Sequence, residues 1–400
     1  MLKEKLNKIL KIVGGNAFSQ IIVIIGTPFL TRVYEPQEFA VLAIVTSIVM
    51  VLGVVGSGRY DQLIYSFVKH NDHARCYTNG LYISCIISFL VFIVSILLFL
   101  SVSMNISYLF LAPLVFSFSL YQLYASLASI KGDYDFIVKG NLIRSFSLIF
   151  SQYALASFGA FGLVVGLLIS QLLSLLAIMY FYYSKYDYKI ITSPNFFDFR
   201  TAVLSSAQSL ANSVSSQLPV LVIPMLFGMT ALGYYSLAVR LTQLPITFFT
   251  NAIRPYVLGE LNKYKDNPRT TERILTLGSS FLLGLGVLGV FLINLFSTKF
   301  FYFYAGPSWE VSGDIASGLS LWLMIAFANI IAVSYLTVAT RFLVLFWYDL
   351  LLLISRVAVL LFSCFFSFDF ICFIYIYSIV GMVFNLYIIS YAIYTGKRNA

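Results

Sequence analysis

Residues 341–366 read RFLVLFWYDLLLLISRVAVLLFSCFF, an apolar run of helical length whose only charges beyond Arg341 are Asp349 and Arg356. About twenty apolar residues at 1.5 Å each cross a bilayer, so the run reads as a membrane-spanning helix. A second run, ALGYYSLAVRLTQLPITFF at 231–249, carries Arg240 in the same way. A charge at the bilayer centre costs roughly 2.5–3.5 kcal/mol on insertion scales and persists only where it faces protein or water. What the two guanidiniums meet is therefore the functional question.

Working outward, the whole chain has this character. It is 60% hydrophobic and 10% charged, with mean hydropathy +0.91, whereas soluble domains carry about 25% charged residues. Apolar runs lie near 12–33, 38–57, 77–101, 105–129, 141–158, 160–183, 201–228, 231–252, 273–297, 314–338, 341–365 and 369–395. The fifth and sixth are separated only by a turn centred on Gly159. The expectation is an all-α polytopic membrane protein of twelve transmembrane helices. Of the 25 lysines and arginines, 21 fall at the N-terminus or in even-numbered connections; Arg32 and Lys299 lie in the odd-numbered ones. Basic residues collect on the cytoplasmic side, so both termini are assigned to the cytoplasm.

The same observations exclude several functions. A net charge of +9 and a pI near 9.2 would suit nucleic acid if gathered in a patch, but these charges are dispersed over short loops. Cys76, Cys85, Cys364 and Cys372 form no CxxC pair, and His70 and His73 share one polar loop, so no metal site or cofactor is expected. The basic-then-apolar start resembles a secretory leader but lacks a small-residue cleavage site; it reads as an amphipathic entry into a retained first helix. No connection is long enough to hold an active site of its own, which weighs against a membrane polymerase or glycosyltransferase. The chain is read as a non-enzyme.

An internal repeat organises the spans. QIIVIIGTPFLTRVYEPQEFAVLAI from Gln20 aligns with QLPVLVIPMLFGMTALGYYSLAV from Gln217, pairing Phe39 with Tyr234, Leu42 with Leu237, Ala43 with Ala238 and Arg59 with Arg254. Six spans per half keep both halves in one orientation, so the repeats are parallel. The division expected is 1–200 and 201–400, two parallel six-helix lobes around a central cavity.

GTPFLTRVYEPQEFAVLAIVTSIVMVLGVVGSGRYDQLI (26–64) resembles the opening of the Wzx-type polysaccharide and O-antigen flippases. These belong to the multidrug/oligosaccharidyl-lipid/polysaccharide exporter superfamily. The landmarks are Pro28, LTR at 30–32, Pro36 with Phe39, and RYD at 59–61. SSQLPVLVIPMLFGMTALGYYSLAVRLTQLP (215–245) is similar to the family's seventh and eighth spans, and GPSWEVSGD (306–314) to its turn before the tenth. The resemblance implies alternating access in a bacterial inner membrane. The implied substrate is an undecaprenyl-diphosphate-linked oligosaccharide, the repeat unit of an O-antigen (lipopolysaccharide), capsule or exopolysaccharide. A coupling ion, proton or sodium as in an antiporter, and membrane lipids are implied partners, with other polysaccharide-assembly proteins as candidates. The alternative is a small-molecule multidrug exporter of the same superfamily, which should present acids rather than arginines to its cargo.

A diphosphate suits arginine, whose planar fork makes bidentate charge-assisted bonds. Arg240 and Arg356 are thus candidate substrate ligands, although Arg240 also fits a scaffold role within YYSLAVR. Asp349 lies seven residues before Arg356, within about 20° of the same helix face but about 10.5 Å along the axis. That spacing is too long for an ordinary direct pair and points to a hydrated lumen. Asp349 is the candidate ion-coupling carboxylate; a neutral hydrogen-bonded acid or a partner for Arg240 or Arg341 is the other reading. Asn16, Gln20 and Thr27 form one polar stripe, as do Gln208, Asn212, Ser215 and Pro219 on the repeat-equivalent helix. Such stripes line a path or hold helices together. Asn329 and Gln243 are further candidates of this kind. Pro28, Pro219, Pro224 and Pro245 are expected bending points. The basic loop residues are read as setting topology, and the aromatic residues mainly as lipid-facing.

Overall fold

The computed structural model describes residues 2–66, 70–102, 106–186, 199–264, 267–339 and 341–398. Helices dominate, and the chain forms two compact units, Met1–Met225 and Leu226–Ala400. The first holds α1 (Leu2–Thr31), α2 (Pro36–Gly56), α3 (Tyr60–Leu63), α4 (His70–Val102), α5 (Leu111–Lys131), α6 (Tyr134–Ala154), α7 (Ala160–Tyr183) and the start of α8 (Phe199–Lys263). The second holds the rest of α8, then α9 (Pro268–Ala305), α10 (Glu310–Ala328), α11 (Ile330–Val338), α12 (Phe342–Phe366) and α13 (Phe370–Arg398).

Nine stretches of the described residues are long and apolar enough to cross a membrane by length and composition. The first and fifth expected spans, α1 and α6, are helical but not among the nine. The seventh and eighth expected spans fall within a single stretch, Ser205–Thr247. Their separation comes from one residue: Gly228, at φ 85° and ψ 170°, breaks the helical backbone of α8. Only glycine takes that conformation readily. Pro219, Pro224 and Pro245, the expected bending points of α8, remain in helical backbone.

Local chemistry sets the other boundaries. At the start of α2, Pro36 occupies the first turn and the Glu38 carboxylate accepts from the Glu35 amide at 2.7 Å, satisfying a donor the helix cannot. Asn267 caps α9 by accepting from the Thr270 amide at 3.2 Å, with Pro268 following. The expected Gly159 turn is present, at φ 59°.

Hydrocarbon gives apolar helices little reason to prefer each other over lipid, so small residues and hydroxyls decide the packing. In the first unit α6 and α7 approach closely: a Cβ on Gly166 would fall 2.9 Å from the Gln152 amide nitrogen. Across this seam Ser151 donates to the Gly166 carbonyl at 3.0 Å and the Gln152 amide to the Leu163 carbonyl at 2.9 Å. In the second unit α9 meets α10 through the Ser297 and Ser317 hydroxyls at 2.7 Å and through Asn294, which donates to Ser320 at 3.1 Å. Large apolar side chains such as Phe146, Phe150, Phe291 and Leu295 remain exposed, as expected of surfaces that face lipid.

Candidate functional site

The second unit encloses a buried cation. Arg356 on α12 is 4% exposed. Its guanidinium carbon lies 4.3 Å from the centre of the Trp322 ring and 4.9 Å from that of Tyr377. The two rings meet edge to face, 5.8 Å apart at 81°. Gly381 makes room for the indole, since a Cβ there would fall 2.5 Å from Trp322 Cδ1. Ring faces attract a desolvated cation by about 2 kcal/mol or more. Among the described residues, Nε and Nη2 of Arg356 have no hydrogen-bond partner. The structure thus places Arg356 between rings of α10 and α13 rather than in open water.

Asp349 stands two turns earlier on α12 and is exposed, although Arg356 is near enough to act on it electrostatically. Sharing a helical stripe did not give the two residues equal burial, because the rings that cover Arg356 leave Asp349 exposed. Beside them, Asn385 on α13 accepts hydrogen bonds from the Asn329 amide and, at 3.2 Å, from the Tyr348 hydroxyl. Its own amide donates to the Gly381 carbonyl at 2.6 Å. Asn329 sits at the junction of α10 and α11. This unit therefore brings Arg356, Asp349 and Asn329 into one neighbourhood.

Arg240 lies apart from that cluster. It is half-buried on α8, with Tyr304 of α9 as an electrostatic neighbour. Among the described residues no carboxylate forms a salt bridge with Arg240 or Arg356. Gln243 is exposed.

In the first unit, Asn16 accepts from the Asn141 amide at 2.9 Å, and Asn141 accepts from the Tyr121 hydroxyl at 2.9 Å. This relay ties α1 to α6 and α5. Thr27 is buried and spends its hydroxyl on the Val23 carbonyl at 2.7 Å of its own helix. Gln20 is half-buried and Asn212 exposed. Near Asn212, the Ser213 hydroxyl donates to the Met50 carbonyl at 3.3 Å. The side chain of Gln208 lies outside the described residues.

Sequence reasoning missed Trp322 and Tyr377, which looked like two more aromatic residues among many. It also missed a cluster at the basic end of the first unit. There the Tyr124 hydroxyl bridges those of Tyr77 and Tyr183, at 2.8 Å each. Asp133 holds Lys185 at 2.6 Å and also accepts from Tyr186. These bonds to Asp133 push the Lys185 ammonium and the Tyr186 hydroxyl above their ordinary values. Lys139 lies over the Phe181 ring at 4.5 Å.

Comparison with known proteins adds to this geometry. A family model described as polysaccharide biosynthesis protein matches residues 29–277. No curated protein sequence matches. Among solved structures, the chain is similar to a multidrug resistance MATE family transporter of the MOP superfamily in an inward-facing conformation. That likeness has a TM-score of 0.73 at 17% identity and covers 95% of this chain and 96% of that one. It is also similar to the lipid II flippase MurJ in an inward closed conformation, with a TM-score of 0.76 at 15% identity over 96% of this chain and 87% of that one. A MOP superfamily transporter from Pyrococcus furiosus, described as having a binding pocket of reverse polarity, matches with a TM-score of 0.60 at 14% identity, covering 98% and 95%. At such identity these likenesses establish the fold alone, the two-lobed all-helical architecture those proteins share.

Proposed function

The chain belongs to the polysaccharide biosynthesis protein family, and from that membership we propose that it is a flippase for undecaprenyl-diphosphate-linked oligosaccharide. It moves an O-antigen, capsule or exopolysaccharide repeat unit from the cytoplasmic to the periplasmic leaflet of a bacterial inner membrane, with both termini cytoplasmic. The observation that carries the reading is the pair Arg240 and Arg356, two cations within apolar helices that no described carboxylate neutralises. A cation kept in hydrocarbon needs an anion at some stage of its work. The anion that crosses the bilayer in a lipid-linked sugar is its diphosphate, and the guanidinium fork matches phosphoryl oxygens.

In this reading the undecaprenyl tail stays in lipid while the head passes a polar route. Arg240 and Arg356 receive the diphosphate, and Asn16, Gln20, Gln208, Asn212 and Asn329 supply amides toward the glycan. Asp349, exposed and within the field of Arg356, is the carboxylate that couples movement to a proton or sodium gradient. A small-molecule exporter fits less well, because cationic cargo calls for acids where this chain has arginines.

Deleting the gene tests the function. One surface glycan should disappear while its lipid-linked unit accumulates on the cytoplasmic side; unchanged display would refute the assignment. For coupling, Asp349→Asn should release flipping from its gradient dependence while head-group binding persists. Transport that stays fully gradient-dependent in that variant removes Asp349 from the role.

A further inference from the structure

The turn after α2 adopts a backbone conformation that its sequence resists. Arg59 has φ 60° and ψ 15°, in the left-handed region, directly after Gly58 at φ 58°. Glycine enters this region freely, whereas a residue with a Cβ is disfavoured there. Among the described residues, Ser367 is the one other non-glycine at positive φ, and it closes α12 as an ordinary left-handed cap. A glycine at position 59 would make the same turn with less strain.

The turn is held mainly by groups other than the Arg59 side chain. Tyr60 is fully buried, and Ser57 donates to Asp61 at 2.6 Å. The amides of Gln62 and Leu63 both donate to the Arg59 carbonyl at 3.0 Å. A Cβ on Gly58 would fall 2.6 Å from Ile83 Cδ1, so the close approach there needs glycine. The guanidinium itself is loosely engaged. Its Nη1 makes a long ion pair with Asp61 Oδ2 at 3.9 Å, beyond hydrogen-bond reach, and its Nε is buried without a hydrogen-bond partner. The side chain keeps 13% of its surface open. Backbone strain retained at a residue whose donors remain unspent marks a ligand position more than a structural one.

Chemistry and position narrow the ligand. A planar fork with spare N–H groups selects an oxyanion that accepts two bonds. Arg59 lies three residues beyond the last residue of α2, a helix apolar and long enough to cross a membrane, and a residue just past such a span reaches head groups rather than hydrocarbon. On the orientation of the flippase reading, which this step rests on, that level is the cytoplasmic leaflet, where the lipid-linked diphosphate starts. We infer that Arg59 is a phosphoryl-binding residue that receives the diphosphate of the transported lipid before it enters the polar route. Anionic membrane lipids offer the same chemistry at the same depth, so the test must separate the two sources.

Full-length wild type, Arg59→Gly and Arg59→Lys are reconstituted in neutral phosphatidylcholine vesicles. Melting temperature and binding are then measured with added undecaprenyl diphosphate or with phosphatidylglycerol. Arg59→Gly should melt no lower than wild type in neutral lipid, because glycine relieves the turn, yet bind undecaprenyl diphosphate at least tenfold more weakly. Arg59→Lys, which keeps the charge and the strain but loses the fork, should fall between in affinity without gaining stability. A lower melting temperature for Arg59→Gly with undiminished diphosphate binding would overturn the inference in favour of a structural role. Weakening confined to phosphatidylglycerol would overturn the substrate assignment and leave a lipid contact. The two fail separately: unchanged display after gene deletion overturns the flippase reading, whereas deletion that accumulates lipid-linked units together with full display restored by Arg59→Gly at equal expression overturns the Arg59 inference alone.

Discussion

In the first unit Asn141 donates to Asn16 and accepts from Tyr121, joining α6 to α1 and α5. In the second, Asn385 accepts from Asn329 and Tyr348, joining α13 to the α10–α11 junction and α12. Both arrangements are an amide pair plus a tyrosine hydroxyl linking three helical segments. Their surroundings differ. The cation that acts on Tyr121 is Arg144, which is half-buried on α6. The cations and acids that act on Tyr348 are Asp349 and the caged, 4%-exposed Arg356. Neutral relays are enough to hold apolar helices together, since each bond satisfies groups that lipid cannot. A charge buried as deeply as Arg356 beside such a relay adds desolvation cost without adding to that purpose, whereas Arg144 in the first unit is only half-buried, so the second unit is where the proposed transport role is best tested.

The comparison can be broken most sharply at Arg356. Arg356→Gln keeps much of the side-chain volume between Trp322 and Tyr377 while removing the charge. Surface polysaccharide should be lost completely, with the protein inserted at normal level. Its melting temperature should be unchanged or raised, because a buried charge without a carboxylate partner is expensive. Undiminished display at matched expression would reduce the cage to scaffolding and erase the contrast between the units.

Smaller effects grade the relays themselves. Asn385→Leu strands the Asn329 amide and the Tyr348 hydroxyl in a site where Asn385 is 1% exposed. At about 1–3 kcal/mol for each of these two groups, roughly 2–6 kcal/mol of stability should be lost. Asn141→Leu should cost less, about 1–2 kcal/mol, because Asn141 and Asn16 are half-buried and within reach of other partners. Denaturation of both variants in the same detergent checks the order. Equal losses would mean that burial does not distinguish the two relays.

Much of the fold was legible because its signal is local. Apolar runs need no partner to be recognised, and the Gly159 turn is written in a single residue. The break in α8 was legible as well: the seventh expected run ends at residue 228, and the backbone departs from the helix at Gly228, while the three prolines expected to bend α8 keep helical backbone angles. The site was read as positions without partners. Helical arithmetic put Arg356 and Asp349 on one stripe, but Arg356 is buried and Asp349 exposed, so burial followed neighbouring helices and not the stripe. Asn16 was singled out for its polarity, while its partner Asn141, 125 residues away, carried no mark to distinguish it.

The sequence by itself determined that this chain crosses a membrane many times as helices and that charges lie within them. Those properties follow from how each segment partitions between water and hydrocarbon, a property of the segment alone. Only the tertiary structure decided that Arg356 is clasped by Trp322 and Tyr377, that Asn16 and Asn329 serve relays, and that Arg59 is strained without being spent. Those depend on which side chains distant in sequence converge, and on backbone angles that neighbouring helices impose.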